Sequence, residues 1–532
     1  MEDKIYSYLK FLNIQVSKRY LKKLILSHPH YPSLLSITDA LQGLGISHQV
    51  ARVSKQNIND VALPYLMTTK GRNDWLQLLK SKDELAAIES DMDKDRVILK
   101  VEPGAAISNK DNDEYRSKEV FSNLIFGAFI LSANILIVLS LVYFFSWFYM
   151  AILVTASIGV ITGYLLVTKE LGLILNPIEA LCHAGENTNC DSILNSEGAK
   201  ILGDIKLSDA VIVYFTFQLA TGILLIPFTG EIAPFLWILS VFSVLTIPVI
   251  AYSLFYQYFK ERFWCPLCLA VDIILIIQAG FFAWMYAKKI IYLRSESPLI
   301  SAFSVFLFGM ISFSVVLLKN KLQEVKESEE EQLETKRVKY SIPVFTHLLT
   351  REDKVNTQFF NQELLIGEPD APVNLVMAGS LSCGPCKAGF QKAVNLLAVY
   401  PKKISLAVRF LNSADNRKYI LKYWLHNICG KDEESRLTKH LLQDWYRLMN
   451  LKKFKKEYPL GDKQNVTDQT VLEKIEEQQD EWFDHAEIEG TPTFFINGYK
   501  KPENYTLKDM VIIAPGLVAH LRQTGEVVKL SR

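Results

Sequence analysis

The chain has 532 residues, too many for one hydrophobic core, and its length suggests about three or four domains. Lys and Arg number 58 against 57 Asp and Glu, a net charge of +1, so there is no whole-chain field to draw nucleic acid. Hydrophobic residues make up 49% and aromatics 11%, but unevenly: 1–115 and 320–532 read as ordinary soluble protein, whereas the nearly charge-free middle reads as membrane.

At the start, Met1-Glu2-Asp3 offers neither the basic region nor the apolar stretch of a signal peptide, which implies a folded domain rather than a removed leader. Helical periodicity over 20–26 and 34–44 gives way to strand patterns over 47–53, 63–68, 75–79 and 96–101. His28-Pro29-His30, beside Tyr31-Pro32, reads as a polar loop rather than a metal site. Ser33-Leu34-Leu35, the run Ala40-Leu41-Gln42-Gly43-Leu44-Gly45-Ile46 and Leu63-Pro64-Tyr65-Leu66 resemble the cysteine peptidase that trims double-glycine leaders in bacteriocin exporters. The resemblance implies a papain-like α+β fold over 1–110. Yet no Cys precedes Cys182 and no His lies between His48 and His183, so the peptidase chemistry is missing. The expectation is a degenerate module that binds a cargo peptide or acts as a scaffold.

From 120 to 168 no residue is charged, a run of 49, whereas a bilayer core of about 30 Å takes about 20 helical residues. Two spans turning near Ser146 follow. Further runs cover 210–230, 232–259, 263–287 (broken only by Asp272) and 297–318, which makes six spans. Residues 319–339, dense in Glu and Lys, read as a solvated helical linker to a last soluble domain.

Seven cysteines are present, and six fall into three close pairs. Cys182 and Cys190 lie in the polar stretch 169–209, which holds a weak half-helix pattern over 192–202. By themselves they could be a permanent brace or an exchanging pair. Cys265-Pro266-Leu267-Cys268 opens a span, and its proline suits a first helical turn whose amides are unpaired. The helix N-terminus there favours a thiolate. Asp272 lies on the same face as Cys268, one turn deeper, where an acid costs a few kcal/mol and is either functional or a partner for a polar group on a neighbouring helix.

These residues, with Ser196 and the segment Asn195-Ser196-Glu197-Gly198-Ala199-Lys200-Ile201-Leu202-Gly203, resemble the vitamin K epoxide reductase family over about 150–318. The resemblance implies a four-helix redox core and a quinone cofactor, menaquinone or ubiquinone. It implies that Cys268 is the sulfur next to the quinone and Cys265 its partner facing the loop. Cys190 would attack Cys265, and Cys182 would meet an outside donor. Ser196 and Asp272 are the expected quinone contacts, Asp272 standing where vertebrate members have Tyr.

The third pair, Cys383-Gly384-Pro385-Cys386, follows the apolar run Val373-Asn374-Leu375-Val376-Met377 and opens an amphipathic stretch over 387–399. A strand pattern at 404–410, a mostly helical stretch at 412–488 and Gly490-Thr491-Pro492-Thr493-Phe494-Phe495-Ile496 come next. This order resembles the thioredoxin superfamily in its DsbA-like branch, over about 341–532. By that resemblance Cys383 attacks and Cys386 resolves, while Thr491 and a cis Pro492 flank the substrate strand. A zinc site shared by the two Cys-x-x-Cys motifs is disfavoured, since one opens a span and the other lies beyond a linker. Cys429 has no partner by spacing and reads as an inert buried thiol.

The expectation is a multidomain protein of the cytoplasmic membrane, divided into 1–110, a transmembrane helical bundle at 120–318, a linker at 319–340 and an α/β thioredoxin fold with a helical insertion at 341–532. Electrons would pass from thiol-containing extracytoplasmic proteins or peptides through Cys383/Cys386, Cys182/Cys190 and Cys265/Cys268 to the quinone pool, with no redox metal. Two rivals are a reductase or isomerase running the other way, and an accessory that matures a cargo peptide. The three pairs must share one compartment, which places 169–209 and the last domain outside; six spans then place the first domain outside as well. Lys288, Lys289 and Arg294 suit an inner loop.

Overall fold

The computed structural model describes residues 1–69, 75–89, 95–143, 147–172, 182, 188–202, 205–229, 233–289, 298–411, 414–460 and 466–524. They form two compact units: Met1–Ser122 together with Glu331–Arg532, and Asn123–Glu330.

In the first 110 residues, helices Glu2–Phe11, Lys18–Leu26 and Leu34–Gly43 precede strands β1 (His48–Val53), β2 (Tyr65–Thr68), β3 (Leu76–Leu79) and β4 (Arg96–Val101), which form an antiparallel sheet of order β1-β4-β2-β3. Ser17 and Ser33 cap the second and third helices by accepting the amides of Tyr20 and Ser36. Buried Tyr8 accepts from the Val101 amide and donates to the Pro64 carbonyl, which ties the first helix to the sheet.

In the unit Asn123–Glu330, five helical segments among the described residues are long and apolar enough to cross a membrane: Trp147–Glu170, Leu207–Leu224, Ala233–Glu261, Pro266–Ala287 and Pro298–Lys339. The helix Lys110–Tyr143 carries the remaining charge-free stretch, and the turn expected near Ser146 lies outside the described residues. Gly159 and Gly163 let Trp147–Glu170 approach Leu207–Thr229 closely. A Cβ on Gly159 would lie 2.3 Å from the Phe215 ring, and one on Gly163 3.2 Å from the Ile212 backbone. The half-helix expected over 192–202 is instead the short helix Cys190–Leu194, a turn at Glu197–Ala199 and a hairpin of β5 (Lys200–Leu202) and β6 (Ile205–Lys206). The helix stops at Asn195, whose amide closes the last turn onto Asp191.

The supposed linker continues the last membrane helix without a break to Lys339. Its first residue is not solvated. Lys319 is 7% exposed and donates to both carboxylate oxygens of Asp209 at 2.7 and 2.8 Å, with Glu170 at 2.8 Å. Lys206 and Ser208 also reach Glu170, so the facing ends of two helices and the middle of a third are joined by one charge network.

The last domain has strands β7 (Leu365–Ile366), β8 (Val373–Gly379), β9 (Ile404–Phe410), β10 (Thr493–Ile496) and β11 (Tyr499–Lys500) in the order β11-β10-β8-β9-β7. Only β8 and β9 are parallel, with Val373 opposite Ile404. Helix Gly384–Val399 covers one face, and among the described residues four helices between Ala414 and His485 fill the expected insertion. This domain shares a core with the N-terminal residues: Tyr20, Leu41 and Leu44 belong to the same buried cluster as Tyr400, Val511 and Leu517. Lys508 pairs with Asp111 at 2.8 Å, and Arg337 donates to the Leu26 carbonyl and stacks on Tyr31. A Cβ on Gly43 would sit 3.1 Å from Val511.

Lys319→Met should leave Asp209 and Glu170 buried against too little positive charge, a loss of about 3–5 kcal/mol. Thermal unfolding of the detergent-purified protein should reveal it as a clear drop in Tm, while the exposed neighbour Lys321→Met leaves Tm nearly unchanged.

Candidate active site

Two centres carry the paired cysteines, one in each unit. In the membrane unit, helix Ala233–Phe255 ends in a π-helical turn, Tyr256–Glu261, closed by Arg262 in the left-handed region at φ 58°. The chain then runs through Trp264 to Cys265, the N-cap of Pro266–Ala287, whose sulfur accepts the Cys268 amide at 3.3 Å. Pro266 occupies the first helical position, as the sequence implies.

The loop pair is stitched to this turn. Thr188 bridges Trp264 in parallel register, and the Asn189 amide donates to the Trp264 carbonyl at 3.2 Å. Asn189 also caps the helix that begins at Cys190. Cys190 is disulfide-bonded to Cys182, and both are fully buried in one cluster with Cys265 and Leu267, against which Cys268 packs. Cys265 and Cys268 are free thiols.

Beneath the pair lies an apolar cleft with about 650 Å³ of empty space including its mouth; Cys268, Asp272, Ser253, Tyr252, Gln257 and Val271 are among its lining residues. Ser253 donates to Asp272 at 2.8 Å, so the acid has a polar partner on the neighbouring helix as well as a place in the cleft. Gly198 and Ala199 also line the cleft. The Gly198 carbonyl accepts from Tyr252 and its amide donates to Tyr256, whose ring would lie 2.1 Å from any Cβ at that position. Ser196 is placed differently from the expectation: its hydroxyl donates to the Ile193 carbonyl within its own turn, and it is not among the residues lining the cleft.

In the last domain Cys383 caps Gly384–Val399 and accepts the Cys386 amide at 3.1 Å. Its thiol lies 3.6 Å from the Thr491 carbonyl, and the Thr491-Pro492 peptide is cis. Cys386 is buried and accepts the Ser380 amide. Burial by itself raises the Cys383 thiol, but its hydrogen bonds with the Cys386 side chain and amide outweigh this and hold it below the ordinary value. Burial, and then the same bond with Cys383, push Cys386 up to about 11. Cys429 is only partly buried, and burial followed by the Glu434 charge raises its thiol, in keeping with an unreactive group.

Residues 150–283 match the Vitamin K epoxide reductase family, and residues 360–513 match a thioredoxin family. Together the fold and the two matches define a membrane thiol-disulfide oxidoreductase. More particularly, the chain carries a vitamin K epoxide reductase family domain followed by a thioredoxin-like domain. Among solved structures, a conserved protein of unknown function from Enterococcus faecalis V583 is 20% identical, covering 32% of this chain and 97% of that one, with a TM-score of 0.23. Alpha-DsbA1 of Wolbachia pipientis is 17% identical over 32% and 96%, with a TM-score of 0.25. Oxidised BdbD of Bacillus subtilis is 16% identical over 32% and 99%, with a TM-score of 0.24. No curated protein matches the chain.

Sequence reasoning missed Ser253, Gln257, Tyr252 and Tyr256. A Gln and a Ser four residues apart within a charge-free run were a usable signal, because buried polar groups in a membrane need partners.

Because the thiolate is the nucleophile, iodoacetamide should alkylate reduced Cys383 with a rate that rises through a midpoint below the ~8.5 of a free cysteine. The rate should fall as pH drops through that midpoint, and Cys386 should stay protected near neutrality. Site-resolved mass spectrometry checks this, and equal rates at the two thiols would contradict the assigned order.

Proposed function

We propose that the chain is a quinone-dependent thiol oxidase that forms disulfides in extracytoplasmic proteins or peptides. The observation that carries this is the burial of the Cys182–Cys190 disulfide in one cluster with Cys265, above a cleft that Cys268 lines. The donor set fits a quinone: an apolar slot with a thiol at one wall and an acid, a serine and a tyrosine within reach. Cys268 and Asp272 would hold it, with Ser253 orienting Asp272, and a bound quinone supplies the capacity to accept two electrons and two protons.

In the proposed order a substrate thiolate attacks the oxidised Cys383–Cys386 pair at Cys383 and releases Cys386. The second substrate thiolate then breaks the mixed disulfide, and the product leaves with one disulfide while the pair becomes a dithiol. Cys383 attacks the Cys182–Cys190 bond at Cys182 and Cys386 resolves it. Cys190 in turn attacks oxidised Cys265–Cys268 at Cys265, which releases Cys268 at the cleft, and Cys182 closes the loop disulfide again. Thr491 would pair with the substrate backbone beside Cys383.

The orientation is supported by two features. Lys319, just past the last apolar run, pairs with Glu170 and Asp209, which border the loop carrying Cys182 and Cys190, and this favours an exit of the last helix on the loop's side. The first and last domains share a core, which favours an even number of crossings between them, with Lys110–Tyr143 as the sixth span of this reading. On this reading the peptidase-like module is a brace for the thioredoxin-like domain.

Purified protein supplied with a reduced dithiol peptide should reduce a quinone, and Cys268→Ser should abolish this while the other pairs still exchange. Cys386→Ala should accumulate a mixed disulfide at Cys383 on non-reducing gels. Full quinone turnover in Cys268→Ser would remove that sulfur from the mechanism. Protease added to spheroplasts should digest both end domains; protection of the first alone would mean an odd number of crossings.

A further inference from the structure

A chain of hydrogen bonds runs from the redox pair to the acid of the cleft. The Cys265 amide donates to Gln257 Oε1 at 2.9 Å, Gln257 Nε2 donates to Ser253 Oγ at 3.1 Å, and Ser253 Oγ donates to Asp272 Oδ2 at 2.8 Å. All four residues are at most 6% exposed, so water does not compete for these bonds. The direction is forced. A backbone amide can only donate, so the Gln257 oxygen must face Cys265 and its NH2 group must face Ser253. The serine lone pair is thereby engaged and its proton points at Asp272. Any proton that Asp272 carries therefore sits on Oδ1, because Oδ2 already accepts.

Gln257 lies in the π-helical turn that follows Ala233–Phe255, four residues beyond Ser253 and eight before Cys265. It makes no direct bond to Asp272, and neither its amide nor the backbone amide of Cys265 passes a proton on. The chain positions groups and does not conduct.

We propose that Gln257 is a positioning residue that ties the dithiol form of Cys265–Cys268 to the orientation of Asp272, with Ser253 as the link. It fixes the backbone of Cys265 where that sulfur caps the Cys268 amide, and through Ser253 it sets which oxygen of Asp272 is free for a ligand in the cleft. The inference rests on the reading of that cleft as the quinone site.

The test uses the full chain in lipid nanodiscs. Without quinone, the dithiol-to-disulfide ratio of Cys265–Cys268 is read by quench-alkylation mass spectrometry in a fixed dithiothreitol buffer. Gln257→Met should shift that ratio toward the disulfide by about threefold to tenfold, the worth of one buried hydrogen bond. With quinone, Ser253→Val should raise KM by a similar factor, as Asp272→Leu does, while Ser253→Thr, which keeps the hydroxyl, stays within about twofold of wild type. Asp272→Asn should resemble wild type, since its oxygen can accept from Ser253 and leave its NH2 free to donate. Adding Gln257→Met to Ser253→Val should raise KM no further, because the link is already cut. An unshifted ratio in Gln257→Met, or additive effects on KM, would overturn the proposal. Quinone reduction surviving in Cys268→Ser would overturn the reading of the cleft instead, and the ratio measured without quinone would still decide the tie between Gln257 and Cys265.

Discussion

A cysteine sulfur that accepts the amide three residues ahead, at the head of a helix, is the interaction on which both redox centres depend. Cys265 does this for Cys268 and Cys383 does it for Cys386. The spacing follows from capping geometry: an N-cap side chain reaches the third helical residue, so two residues must separate the thiols. One of those two is proline in each motif, where its missing amide hydrogen removes a group that had no partner in the helix. The exposed amides and the helix dipole then favour a thiolate on the capping residue. Four residues thus carry out the same local task in a membrane bundle and in an α/β domain.

What the four residues cannot supply is their setting, and that comes from charges and small residues far away in the chain. Gly159 and Gly163 let two membrane helices approach closely at the Phe215 ring and the Ile212 backbone. Lys319 neutralises Glu170 and Asp209 at the two ends of that loop, so its borders are held without exposing acids to lipid. Arg337, on the same long helix, reaches the Leu26 carbonyl and the Tyr31 ring of the first domain. One helix therefore carries the contacts that brace each unit.

Much of this was legible beforehand because it depends on local pattern. Charge-free runs mark the membrane helices, and the Cys-x-x-Cys motifs with their prolines mark helix starts; both signals survive in any tertiary context. The strands at 48–53, 65–68, 76–79 and 96–101 lie inside or within a residue of their expected ranges. The helix Glu2–Phe11 went unrecognised because it is short and its apolar face is defined only by the sheet it packs on. Lys319 looked like the first residue of a solvated linker, since nothing near it in sequence announces Asp209 and Glu170. Ser196 was expected at the quinone, but its hydroxyl satisfies the carbonyl of its own turn, a local bond that residue type alone does not reveal. The cleft's polar set was hidden for the opposite reason: Ser253 and Gln257 meet Asp272 and Cys265 across two helices, a tertiary contact that local pattern does not reveal.

The two motifs differ in which sulfur faces outward. In the thioredoxin-like domain the capping Cys383 is partly exposed and Cys386 is buried; in the membrane unit the capping Cys265 is buried and Cys268 is the partly accessible one. A capping sulfur with a lowered pKa suits attack on, or by, a polypeptide thiol, and Cys383 presents it to solvent beside the Thr491 carbonyl. At the membrane pair the capping sulfur has no such access. It is packed with the Cys182–Cys190 disulfide of its own chain, and the second sulfur lines the cleft. On the proposed function, the inversion gives Cys383 a separate polypeptide as its outside partner and Cys268 a small apolar molecule. In the proposed order Cys383 meets both the substrate and the loop pair while Cys386 resolves, whereas the membrane pair divides the two tasks between Cys265, toward the loop disulfide, and Cys268, toward the cleft.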